Sequence, residues 1–108
     1  MKTINTKNAP QAIGPYSQAK IIGNFVFTSG QIPLKPDGSI VSGNFEEESI
    51  QVLNNIDEIL KAAGSNMGNI IKLTVYLDDL SNFNILNKVF ENYFLESFPA
   101  RSTVEVSK

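Results

Sequence analysis

The chain has no cysteine and no histidine among its 108 residues, and a single arginine. These absences remove the commonest nucleophiles and general bases, so a Ser-His-Asp triad, a Cys-His pair and a zinc centre of the usual ligands are all excluded. Without cysteine, no disulfide can hold the fold and nothing argues for an oxidising compartment. Long apolar runs are missing as well: no stretch approaches the roughly 18 uninterrupted apolar residues that a membrane-spanning helix needs. The opening "MKTINTKN" has no apolar core of a secretory leader, so the expected location is the cytoplasm. Positive charge is also scarce. Nine Lys and Arg against eleven Asp and Glu give a net charge of -2 and a pI near 5.0, the wrong footprint for generic nucleic-acid binding. Any reaction must rest on carboxylates, hydroxyls, amides, lysines, one arginine, backbone groups and bound water. That favours chemistry with a low intrinsic barrier, or binding without chemistry.

What is present describes an ordinary globular protein: 42% of residues are apolar and 19% charged. No repeat or linker interrupts the chain, and its length suits one domain over 1–108. "AKIIGNFVFTSG" carries β-branched and aromatic residues on both sides of Gly23-Asn24, which predicts two antiparallel strands joined by a tight turn. Residues 31–43, with Pro33 and Pro36, read as loop. From Phe45 to Ala63, the spacing of Ile50, Leu53, Ile56, Leu60 and Ala63 predicts a helix, with Glu46, Glu47 and Glu48 in its first turn and Gly64 closing it. "NIIKLTVYLDD" alternates as a strand with one face on a core. A second helix is expected from about Asn82 to Glu96 on the stripe of Phe83, Leu86, Phe90, Tyr93 and Phe94, and "ARSTVEVSK" closes as a strand. Two helices over one face of a small sheet is an α+β arrangement. The opposite sheet face is expected to carry Lys72, Thr74 and Tyr76 beside Arg101 and Thr103, a mixed surface suited to self-association.

Arg101 is the strongest candidate on chemical grounds, because a guanidinium presents a rigid fork of donors matched to a carboxylate or phosphate. The competing reading is a strand-end arginine in solvent or paired with a surface acid. Asn87 falls on the apolar stripe of the second helix, where an amide must be hydrogen-bonded, either to nearby backbone or to a ligand. Tyr16, in "GPYS", sits at a turn before a strand, as a half-buried packing residue or a site residue. Ser29 and Gly30 end the second strand, where a glycine permits close backbone approach or simply a bulge.

Five segments, "NAPQAIGPYSQA", "FVFTSGQIP", "LNNIDEILKAAG", "IIKLTVYLDDLSNFNILNKVFENYF" and "FPARSTVEVSK", in this order resemble the Rid/YjgF family end to end. They look closest to its RidA-type reactive intermediate deaminases, the 2-iminobutanoate/2-iminopropanoate deaminases. The resemblance implies a chorismate-mutase-like α+β fold, with a small mixed sheet and two helices packed on one face. It also implies a homotrimer with sites in the clefts between subunits and no cofactor; the acidic balance and the missing apolar runs are what exclude nucleic acid and membrane as expected partners. The implied reaction is hydrolysis of small 2-imino acids or their enamine tautomers, released by pyridoxal-phosphate-dependent dehydratases, to 2-keto acids and ammonia. Carried onto this chain, Arg101 would pair with the substrate carboxylate, Gly30 and the backbone around Ser102 and Thr103 would line the site, and Tyr16, Ser29 and Asn87 would shape the pocket. An imine is already an activated electrophile, so a composition without histidine or cysteine is no obstacle. Thr103 stands where the family often has cysteine. The resemblance implies that the family pattern continues beyond Lys108 with a Leu-Pro segment and a last strand bearing a water-positioning glutamate; this sequence stops before both, either as a chain without that edge strand or as part of a longer one. Two other readings accompany the deaminase: a regulatory trimer that binds small carboxylates without turnover, and a translation-inhibiting endoribonuclease, against which the acidic balance and missing histidine argue.

Overall fold

The computed structural model describes residues 1–95 and 97–107. Glu96, the expected end of the second helix, and Lys108 lie outside them. The chain divides into two compact units, Met1–Asn66 and Met67–Lys108.

In the first unit, β1 (Lys2–Ile4), β2 (Ala19–Ile22) and β3 (Phe25–Thr28) form an antiparallel sheet in that order, followed by α1 (Phe45–Ala62). The expected hairpin is β2–β3: Ile22 pairs with Phe25 across Gly23-Asn24, and Gly23 has φ of +56° while, among the described residues, no non-glycine residue has positive φ. Positive φ at the first central position alone is the type II′ pattern rather than I′. The sequence does not foretell β1, because three residues carry no readable periodicity and pairing with β2 is what extends them. Ile4, Ala9, Ala19 and Ile59 form the core, with Ile21, Val26 and Ala63 packed against it.

Helix α1 begins and ends on chemical signals. The Asn44 side chain accepts from the Glu47 N–H at 3.0 Å, and the three glutamates follow in the positive first turn. At the far end, Ser65 N–H bonds Leu60 O at 2.8 Å and Gly64 N–H bonds Lys61 O at 3.0 Å, with Gly64 at φ of +82°. That pair of bonds is a Schellman cap. Leu53 and Leu60 of the expected stripe are buried, but Ile59 and Asn55 are the most fully buried side chains of the helix and Ile50 is 37% exposed. Asn55 is there because its amide anchors the loop. Its Nδ2 donates to Leu34 O at 2.8 Å and Ile32 O at 3.3 Å, and its Oδ1 accepts from Gln51 Nε2 at 2.9 Å.

In the second unit, β4 (Lys72–Leu77) leads through a 3-10 turn (Leu80–Asn82) into α2 (Phe83–Tyr93), and β5 (Ala100–Glu105) returns parallel to β4. A helical crossover is what a parallel pair requires. Leu77, Leu86, Val89, Phe90 and Phe94 are buried. The α+β class therefore holds, with strands shared between an antiparallel sheet and a parallel pair. Among the described residues, no helix is long and apolar enough to cross a membrane.

Asn55→Leu removes the amide that satisfies two loop carbonyls, and leaving such groups unpaired costs about 1–3 kcal/mol each. Urea denaturation of this variant is expected to show a lower midpoint with an unchanged slope.

Candidate active site

Register decides where Arg101 points. Leu73 pairs with Arg101, Val75 with Thr103 and Leu77 with Glu105, and in-register neighbours of a parallel pair project side chains to the same face. Arg101 and Thr103 therefore share the face of Leu73, Val75 and Leu77. This corrects the expectation that they join Thr74 and Tyr76 on the open face, which instead carries Lys72, Thr74, Tyr76, Ser102 and Val104. Each strand alternates as expected, but alternation within one strand leaves its register against the next undetermined.

From that face Arg101 reaches α2. Its Nη2 donates to Asn87 Oδ1 at 2.7 Å, and its guanidinium carbon lies 5.2 Å from the Phe83 ring centroid and 4.9 Å from that of Phe90. Both distances fall within cation–π range. Asn87 thus accepts from a side chain, Arg101, where the sequence reading offered nearby backbone or a ligand. Arg101 is half-buried and forms no ion pair with any described residue; the ion pairs found are those of Lys61 with Asp57 and Glu58. Two positions along the same face, Thr103 Oγ1 is buried with no hydrogen-bond partner among the described residues. Ser102 lies between them with its side chain on the opposite face.

The other expected residues belong to the first unit. Gly14 has φ of +122°, and Tyr16 N–H bonds Gly14 O at 2.9 Å, a tight turn that leaves the tyrosine 54% exposed. Ser29 Oγ donates to Ser17 O at 2.5 Å, tying the end of β3 to the tyrosine segment. Tyr16, Ser17, Lys20, Phe27 and Ser29 are among the residues lining an open pocket of about 430 Å³. Gly30 adjoins it in sequence, and a Cβ there would meet nothing within 4 Å. Behind this segment, Gln18 is 2% exposed. It accepts from Thr6 N–H at 2.6 Å and donates to Thr6 O at 3.0 Å and Pro10 O at 2.8 Å. Gln18, Phe83 and Phe90 escape the sequence reading as site-forming residues: Gln18 carries no periodic signal, and the two rings look like ordinary core.

Among the described residues, no three Asp or Glu side chains gather into a group that would hold a metal ion. What is assembled instead is one cation within cation–π range of two rings and bonded to an amide, with a buried, unpaired hydroxyl two positions along the strand. Such a group suits an anion with in-plane acceptors.

Residues 6–108 match the family model described as Endoribonuclease L-PSP. The chain belongs to the Rid/YjgF family. It is similar to a RutC family protein of Pyrococcus horikoshii, 52% identical over 108 residues that span 99% of this chain and 86% of the relative. The Escherichia coli K12 2-iminobutanoate/2-iminopropanoate deaminase is 46% identical over 110 residues, spanning 99% and 86%. The crystal structure of the E. coli YjgF gene product superposes with a TM-score of 0.95 at 44% identity, covering all of this chain and 87% of that one. Rid-family relatives thus share the fold, and several carry the deaminase name.

Asp79, in the connection from β4 to α2, has its carboxyl held below the usual 3.8 by hydrogen bonds from the Ser81 side chain and backbone. A depressed folded-state value means that any stabilisation is present above the unfolded pKa and is lost as pH falls through the folded one. Ser81→Ala is expected to move the Asp79 carboxyl back up toward 3.8, read by NMR titration.

Proposed function

We propose that this Rid/YjgF chain hydrolyses small 2-imino acids, such as 2-iminobutanoate and 2-iminopropanoate, to 2-keto acids and ammonia. The observation that carries this reading is Arg101, a half-buried cation with no acidic partner among the described residues, held by a neutral amide and two rings. A half-buried charge without a counter-ion favours an arriving anion, and a guanidinium fork fits a carboxylate with two parallel bonds. With the carboxylate fixed, the adjacent imine carbon is presented to water in one orientation.

The balance is simple. Water adds to C2 and one of its protons goes to the nitrogen, giving a carbinolamine; the amino nitrogen takes a second proton, the C–N bond breaks with the pair leaving on ammonia, and the hydroxyl proton is released to form the ketone, so that imine plus water gives keto acid plus ammonia. Thr103 Oγ1, on the Arg101 face, is the side-chain hydroxyl free to steady the water or the nitrogen. Tyr16, Ser29 and Gly30 in the first unit, and the backbone at Ser102 in the second, are further proposed substrate-binding residues. No cofactor is required by these steps. The acidic balance of the chain disfavours RNA as substrate despite the family model's endoribonuclease description.

We also place the chain in a homotrimer with sites in the clefts between subunits. Exposed apolar side chains support self-association: Tyr76 (67%) and Val104 (42%) on the open face of the parallel pair, and Phe25 (54%) and Phe27 (64%) on β3. Sedimentation at micromolar concentration is expected to give three times the chain mass, and a stable monomer would count against it.

Coupled to a threonine dehydratase, the wild-type chain should accelerate loss of 2-iminobutanoate. Arg101→Ala should lower kcat/KM at least about 100-fold, and Arg101→Lys, which keeps charge but not the fork, should recover only part of it. An unchanged Arg101→Ala rate would sink the proposal. Carboxylate binding without any acceleration would instead establish a regulatory binder.

A further inference from the structure

We propose that Phe83, Asn87 and Phe90 form a bracket that makes Arg101 selective for planar carboxylates over tetrahedral anions. The inference rests on the reading of Arg101 as the carboxylate anchor and adds which residues impose the choice. The three bracket residues are spaced by four and three along α2, so they share one helix face. Phe83 and Phe90 are seven residues apart, about 10.5 Å along a helix axis. The guanidinium carbon is 5.2 Å from one ring centroid and 4.9 Å from the other, and the proposed bracket sets one ring on each side of the guanidinium plane. Asn87, on the same face, takes one Nη2 proton at 2.7 Å.

That geometry leaves the guanidinium its in-plane donors on the edge turned away from Asn87. A carboxylate bound there keeps both oxygens and its first carbon in the guanidinium plane. A phosphonate can place two oxygens in that plane, but its third oxygen and its carbon then stand above and below it, toward the rings. Ring faces carry the negative part of the aromatic quadrupole, so they repel the out-of-plane oxygen as well as obstructing it. Phe90 is 6% exposed and is the fixed jaw; Phe83, 38% exposed, is the jaw that can be changed with least disturbance. Phe83 and Phe90 are thus specificity residues, and Asn87 is a positioning residue that sets the rotation of the fork.

The test compares propionate with ethylphosphonate, which share the ethyl group and differ in the anion, by calorimetric titration of the full chain. The wild type is expected to prefer propionate by about tenfold or more, the scale of one well-formed cation–π contact. Phe83→Leu, which keeps apolar bulk but removes the ring, should bring the two affinities within about threefold, while Phe83→Tyr should retain the preference. Because the chain has one arginine, its Nε–H gives a unique 15N resonance. Rotation of the guanidinium read from that signal should be faster in Asn87→Ala and Phe83→Leu than in the wild type and Phe83→Tyr. Equal binding of both anions by the wild type, no binding of either, or an unchanged preference in Phe83→Leu would overturn the bracket. Selective binding without imine hydrolysis would leave the bracket standing and remove the deaminase reading; propionate binding that survives Arg101→Ala would remove both.

Discussion

Parallel neighbours in register point their side chains the same way, so pairing Leu73 with Arg101 commits the guanidinium to the inner face of the β4–β5 pair and brings it to α2. Everything proposed for the site depends on that one alignment. A shift of a single residue would turn Arg101 outward, into solvent, and leave Asn87 an unpartnered amide on an apolar helix face. The register is held at both ends by backbone bonds beyond the paired residues, Ala100 N–H to Ile71 O at 3.0 Å and Val106 N–H to Leu77 O at 2.7 Å. Glu105 Oε1 adds a bond from Leu80 N–H at 2.9 Å, which ties the strand to the turn that opens α2. The cation is thereby fixed by elements on two sides, which is what a binding fork requires to be preorganised.

The first unit solves a different problem, that of holding irregular backbone in place without disulfides. Two buried amides do this. Gln18 satisfies three backbone groups of the segment before β2, and Asn55 satisfies two carbonyls of the loop before α1. Buried amides are costly unless fully bonded, and here each hydrogen bond also removes an orphaned backbone group. The Tyr16 turn and the Ser29 strand end are then joined by a hydroxyl-to-carbonyl bond, so the residues around the pocket are positioned by a hydrogen-bond framework.

Most of the regular structure is legible in the sequence because its signals are local. The glutamates before α1 and Gly64 after it mark that helix, Gly23-Asn24 marks the hairpin, and alternation marks β4 and β5. What escapes is whatever depends on a partner distant in sequence. The strand β1 exists only through β2, Asn55 is buried only because the loop crosses it, and the direction of Arg101 follows from β4 rather than from its own strand. The single arginine identifies itself as a candidate by chemistry alone. Its two ring neighbours do not, because a phenylalanine that faces a cation and one that fills a core occupy the same helical positions.

The unpaired hydroxyl of Thr103 has an energetic meaning of its own. Burying a polar group without a partner costs roughly 1–3 kcal/mol, and that cost is incurred when the chain folds, before any ligand is present. In the proposed site, a water or imine nitrogen bonded to this oxygen would meet a group already stripped of its hydration, so that bond would carry no further desolvation penalty on the protein side. On that proposal, folding transfers part of the work of binding into the ground state of the protein, at a small cost to the stability of β5.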